Sequence, residues 1–210
     1  MTITIEQLRD ALVDAALANW ELTIRDIQRG YVGDRLEIER LFRLVRWGWA
    51  IDKHGGYKET SDTMWCGIHV AACGMEVGDF IMPGQCLDVS INPLMATFVI
   101  PSCTRLVSDR QYRRAGVPRM ERLDPKDAIR GDIVILDTPR TNRPEGDHIM
   151  LAEGPPDLER GVIACVEGNA IGTLGDGTRG EGVVRNERPL KDCLHAYRFE
   201  LHHFTGSALR

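Results

Sequence analysis

Arg130-Gly131-Asp132-Ile133-Val134-Ile135-Leu136, residues 130–136, decides the fold class. A glycine turn hands over to four consecutive aliphatic residues, a run too short for a helix and bounded by polar turn residues, which predicts a strand. The same vocabulary recurs downstream. His148-Ile149-Met150-Leu151-Ala152, Gly161-Val162-Ile163-Ala164-Cys165-Val166-Glu167, Gly182-Val183-Val184-Arg185 and Ala196-Tyr197-Arg198-Phe199-Glu200-Leu201 are β-rich runs between Gly, Pro and Asp turns. Their links are too short for crossover helices, so they predict an antiparallel meander of about five strands. Residues 171–182, Gly-rich but without the lysine of a phosphate-binding loop, read as a hairpin loop.

Upstream the period changes. Residues 5–20 place Ile5, Leu8, Leu12, Ala15 and Ala16 at helical spacing behind Thr4, a suitable N-cap. Residues 35–49 repeat the pattern with Leu36, Ile38, Leu41, Leu44, Val45 and Gly48, predicting a second helix. A helical piece is expected at 94–100, with the rest of 74–130 as loop or short helix. Helices first and strands afterwards indicate an α+β fold. The 210 residues (23.5 kDa) suit a single domain, 1–210, with the helix at 5–20 packed on its core.

Net charge of -5 and a pI near 5.7 argue against a nucleic-acid partner. The basic cluster of Arg105, Arg110, Arg113, Arg114, Arg119 and Arg122 reads as a solvated surface. The start, Met1-Thr2-Ile3-Thr4-Ile5-Glu6-Gln7, lacks a basic region followed by an apolar run. No stretch approaches the roughly 18 apolar residues of a membrane span. The expectation is synthesis in the cytoplasm without a signal peptide or membrane span. Six cysteines spread singly, with no CxxC pair, read as reduced thiols.

Thr63-Met64-Trp65-Cys66-Gly67-Ile68-His69-Val70-Ala71-Ala72-Cys73-Gly74 puts Cys66 where a polar loop becomes an apolar helix, with Thr63 as the expected N-cap. A helix N-terminus lowers a thiol's pKa and so favours a nucleophile. Most free cysteines are small buried hydrophobes, and this stretch alone leaves both readings open. Cys66, His69 and Cys73 form C-x2-H-x3-C, which departs from zinc-site spacing, and one helix cannot close a tetrahedral shell. Ordinary helix packing is expected, with no metal and no cofactor.

A cysteine nucleophile needs a base and a group that orients it. His148 opens a strand directly after a polar loop, where a cleft can reach it. Val166-Glu167-Gly168-Asn169 supplies two orienting candidates, since residues two apart on a strand share a face. Glu167 and Asn169 are both expected to point at the imidazole, either one accepting from its N–H, and Gly168 leaves room between them.

Trp65-Cys66 at a helix start, Arg130-Gly131-Asp132-Ile133-Val134, His148 and Glu167-Gly168-Asn169 occur in an order that resembles the CHAP branch of the NlpC/P60-type cysteine peptidases. The resemblance runs from about residue 20 to 201. It implies a papain-like fold, with the cysteine helix packed on the sheet that bears the histidine. It also implies hydrolysis of peptidoglycan amide bonds, within the stem or cross-bridge peptide or between muramic acid and L-alanine. Carried over by position, Cys66 is the nucleophile, His148 the base, Glu167 the orienting residue and Asn169 its neighbour in the site.

The chain departs from the family in having Asp147 rather than glycine before the histidine, a carboxylate expected to raise its pKa. It also has Ile68-His69 where an aromatic often follows the cysteine. The alternatives are a non-catalytic domain of the same fold that binds wall peptides or a partner, and a cysteine protease or deamidase-type effector acting on a protein. Without a signal peptide, a wall hydrolase would reach its substrate by lysis, dedicated secretion or phage delivery. Neither motif nor composition fixes an oligomeric state.

Overall fold

A computed structural model of the chain describes residues 4–25, 35–45, 48–57, 65–81, 119–137 and 146–200. Helix α1 (Ile5–Glu21) begins at Thr4, as its sequence predicts. The Thr4 side chain accepts from the Gln7 N–H, and the Gln7 side chain accepts from the Thr4 N–H at 2.9 Å. This reciprocal capping satisfies two of the donors a helix start leaves without a partner. The second predicted helix is two, α2 (Arg35–Leu44) and α3 (Gly48–Asp52), and residue 48 is a glycine, which weakens a helix interior. Helix α4 (Cys66–Ile81) follows. From Cys66 to Met75 it is buried all round, as expected for a helix enclosed by other elements. Helices α1 and α2 cover it on one side, and the sheet lies on the other.

The sheet has six strands among the described residues, not about five: β1 (Glu121–Leu123), β2 (Ile133–Leu136), β3 (His148–Ala152), β4 (Val162–Thr173), β5 (Arg179–Pro189) and β6 (Cys193–Arg198). Strand β1 lies in a stretch read as irregular, because three residues are too few to display alternation. The strand order is β1-β6-β2-β3-β4-β5 and every pairing is antiparallel. The architecture is therefore α+β, with a meander from β2 to β5. Strand β6 departs from the meander by crossing to the far side of β2. The strand expected at 182–185 extends to Arg179–Pro189, and the expected hairpin loop shrinks to its tip. That tip is tied to the end of α1: Trp20 Nε1 donates to Thr173 O at 2.8 Å and Arg25 pairs with Asp176.

The route from β5 to β6 bends the sheet. Three strands separate them, roughly 19 Å across a flat sheet at about 4.8 Å per step. The link between them is the single 3-10 turn Leu190–Asp192, which reaches at most about 14 Å even when extended. The sheet must curl, and its two faces bury two cores. Ile133, Ile135, Ile149, Leu151 and Val166 face the helices. Val134, Leu136, Met150, Ala152, Ile163 and Cys165 fill the inside of the curl. Thr63, the expected helix at 94–100, and Arg105, Arg110, Arg113 and Arg114 lie outside the described residues. Arg119 and Arg122 are exposed.

Candidate active site

Cys66 is the first residue of α4. Trp65, just ahead of it, holds the N-cap position, because its carbonyl accepts the first helical bond from the His69 N–H at 2.9 Å. His148 is the first residue of β3, at the end of the sheet. Alternation puts His148 on the face of Met150 and Ala152, inside the curl, and its position at the strand's end lets the imidazole meet Cys66. The two side chains are hydrogen-bonded. His148 Nε2 is 2.7 Å from Glu167 Oε2, which commits that nitrogen to the carboxylate and leaves Nδ1 for the thiol. Glu167 is wholly enclosed and His148 is 8 % exposed. The structure thus brings Cys66, His148 and Glu167 into one line.

Glu167 is held from β5 as well. Arg188 donates from Nε to Oε1 and from its terminal nitrogen to Oε2, both at 2.7 Å. Asn186 Nδ2 donates to Oε1 at 3.0 Å, and the Cys165 thiol donates to the same oxygen at 3.1 Å. Burial alone would push this carboxyl up. The hydrogen bonds and charges of His148 and Arg188 outweigh it and hold the group well below the usual carboxylate range.

Burial is also the largest single influence on His148, and it acts downward. The hydrogen bonds and charges of Cys66 and Glu167 together overcome it and raise the imidazole to about 10. The elevation expected from Asp147 is present, and its largest causes are Cys66 and Glu167. Burial pushes the thiols of Cys73, Cys165 and Cys193 up, to about 12 at Cys193, so none of the three resembles an activated nucleophile.

Asn169 does not share the imidazole with Glu167. Glu167 pairs with Val184 but Ala170 pairs with Gly182, so β4 carries one extra residue here, a bulge. Asn169 has φ of 58°, in the left-handed region, which breaks the two-residue alternation on which the expectation rested. Its buried Oδ1 has no hydrogen-bond partner, and Glu167 alone of the two meets His148. Gly168, between them, faces α4. A Cβ there would lie 2.5 Å from His69 Cβ and 2.9 Å from Trp65 Cζ3. Glycine at 168 lets β4 approach the helix closely enough to bring Glu167 and His148 to Cys66.

His69 is fully buried behind the site, its Nε2 3.7 Å from Cys73 Sγ and its Nδ1 without a partner. Burial drives its pKa down to about 4, leaving it neutral at pH 7. Cys66 turns to His148 while His69 turns to Cys73, so the C-x2-H-x3-C residues do not converge. Among the described residues no group of three His, Cys, Asp or Glu side chains is arranged to hold a metal ion. Arg188 and Asn186 escaped the sequence reading because both lie beyond the run at 182–185 that marked the strand. An arginine two residues from an asparagine on a strand carries no motif, and only the β4–β5 register aims both at Glu167.

Comparison of the chain with protein-family models, with curated proteins and with solved structures finds no match.

Proposed function

We propose that the chain is a cysteine-dependent hydrolase of papain-like architecture that cleaves amide bonds of peptidoglycan by acyl transfer. The observation that carries this reading is the Cys66–His148–Glu167 line, with Nε2 of His148 bound to a buried carboxylate at 2.7 Å and its other nitrogen left for the thiol. A surface ion pair has no need of such burial, and a structural cysteine has no need of a histidine held by a carboxylate. The choice of peptidoglycan over other amides rests on the sequence resemblance.

In this mechanism the Cys66 thiolate attacks the scissile carbonyl carbon, forming a C–S bond and a tetrahedral oxyanion. The backbone N–H groups and the positive dipole end at the start of α4 favour negative charge there. Collapse breaks the C–N bond, and the amine leaves with the proton carried by His148 Nδ1. A water then gives a proton to His148 and attacks the thioester, releasing the carboxylic acid and restoring the thiolate. Glu167 keeps the Nε2–H tautomer and stabilises the imidazolium without itself taking the proton.

Digestion of purified peptidoglycan, with mass analysis of the products, tests the reading and names the bond. Wild-type protein is expected to release amine and carboxyl termini at one bond type, and Cys66→Ala to release none. Cleavage by Cys66→Ala at the wild-type rate would refute the mechanism. No cleavage of peptidoglycan by wild-type protein, with cleavage or deamidation of a protein substrate, would move the site to the effector alternative.

A further inference from the structure

A buried glutamate that orients a histidine meets two opposing demands. It must stay ionised inside the protein, where desolvation favours the neutral acid, and it must not be so basic that it takes the imidazolium proton. His148 alone meets neither demand once it is neutral. Arg188 meets both. Its guanidinium forks onto the two oxygens of Glu167 at 2.7 Å each, a bidentate geometry that fixes the plane of the carboxylate as well as its charge. Oε2 is then shared between Arg188 and His148, and Oε1 is filled by Arg188, Asn186 and Cys165. The line therefore extends one residue further, with alternating sign: Cys66 thiolate, His148 imidazolium, Glu167 carboxylate, Arg188 guanidinium.

We propose that Arg188 is a positioning residue of this site: by holding Glu167 ionised and oriented from β5, it lets the thiolate–imidazolium pair of Cys66 and His148 form at a lower pH than a bare Cys-His-Glu line allows. The inference rests on the reading of Cys66 and His148 as nucleophile and base. Among the described residues, other titratable groups around the line are Asp147 beside His148, His69 from α4, Cys165 on β4 and Cys193 on β6. His69 is neutral at pH 7, both thiols are pushed up by burial and an aspartate is never a cation, so none of these described groups supplies the positive charge. Among the described residues Arg188 is the cation hydrogen-bonded to both oxygens of Glu167. With it gone, the buried carboxyl's pKa rises, the imidazolium loses its support as pH falls, and the thiolate is protonated earlier.

The test is the rate at which iodoacetamide alkylates Cys66, read by mass spectrometry of its peptide across a pH series. In wild-type protein the rate should show an acid limb well below that of an ordinary thiol. Arg188→Met should move the midpoint of that limb up by about one pH unit, the size expected for losing an opposite charge beside a carboxylate. Arg188→Lys, which keeps the charge but not the fork, should give an intermediate displacement. Arg185→Met on the same strand, which removes the Arg185–Glu153 pair, should leave the midpoint in place. Midpoints unchanged in both Arg188 variants would overturn the inference, even if turnover fell, since a merely structural arginine lowers rates without moving the limb.

A wild-type Cys66 that alkylates no faster than an ordinary thiol would instead overturn the nucleophile reading, before any variant is made. If neither variant folds, the carbon-13 shift of the Glu167 carboxyl in His148→Gln protein, which removes the imidazole and keeps the Arg188 fork, decides. It should stay that of a carboxylate at about pH 4, where an unperturbed glutamate is largely protonated, and titration in the ordinary range would overturn the inference.

Discussion

Gly168→Ala is the substitution whose outcome tests most of the geometry. The new Cβ would sit 2.5 Å from His69 Cβ, 2.9 Å from Trp65 Cζ3 and 3.0 Å from His69 Cγ. Carbon atoms rest at about 3.5–4.0 Å, so β4 and α4 must part by about 1 Å. Trp65 and His69 are fully buried, and the atom met first is a Cβ, which no rotamer moves. Overpacking of this kind costs typically about 1–3 kcal/mol. The clash is with rigid groups on both sides, so the upper end is expected. For a chain of this size that corresponds to a fall in melting temperature of about 10 °C. The separation also parts the two halves of the site, Cys66 on α4 from His148 and Glu167 on the sheet. A misplacement of about 1 Å costs on the order of 10²-fold in rate. Urea unfolding and the alkylation rate of Cys66 at neutral pH measure the two effects in one preparation. Adding His69→Ala should restore neither, because alanine keeps the offending Cβ, whereas His69→Gly should recover part of the reactivity. A Gly168→Ala protein with wild-type unfolding midpoint and wild-type Cys66 reactivity would refute the close-approach argument.

His69 has a folded pKa of about 4 against about 6.5 in an unfolded chain. Between those values the unfolded state holds one more proton, so stability falls as pH drops from about 6.5 to about 4, by up to about 3 kcal/mol. His69→Leu should flatten that part of the acid slope in urea midpoints measured across pH, and an unchanged slope would contradict the assignment. Cys66→Ala removes the first of the partners that raise His148 against its burial. Its imidazole pKa, followed by proton NMR, should fall from about 10, and a value that stayed there would mean that Glu167 alone sustains it.

Helix α1 was legible because its cap and its apolar spacing are local properties of one segment, and β2 and β3 were legible because each is a short apolar run bounded by turns, whereas the runs at 161–167, 182–185 and 196–201 marked β4, β5 and β6 without their bounds. The order Cys66, His148, Glu167 was also readable, since it is an order along the chain. The break between α2 and α3 and the three-residue β1 were not, because neither carries a period long enough to register. Asn169 shows the limit most directly. Two-residue alternation placed it beside Glu167, but a bulge adds one residue to β4 and turns it into the left-handed region, an event set by pairing with β5 rather than by its own neighbours. The sequence by itself thus determined an α+β chain with a cysteine at a helix start and a histidine at a strand start. Only the tertiary structure decided that Glu167 and not Asn169 meets His148, and that Arg188 and Asn186 stand behind it. Strand register is a relation between distant segments, and no local spacing encodes which side chain of β5 faces which side chain of β4.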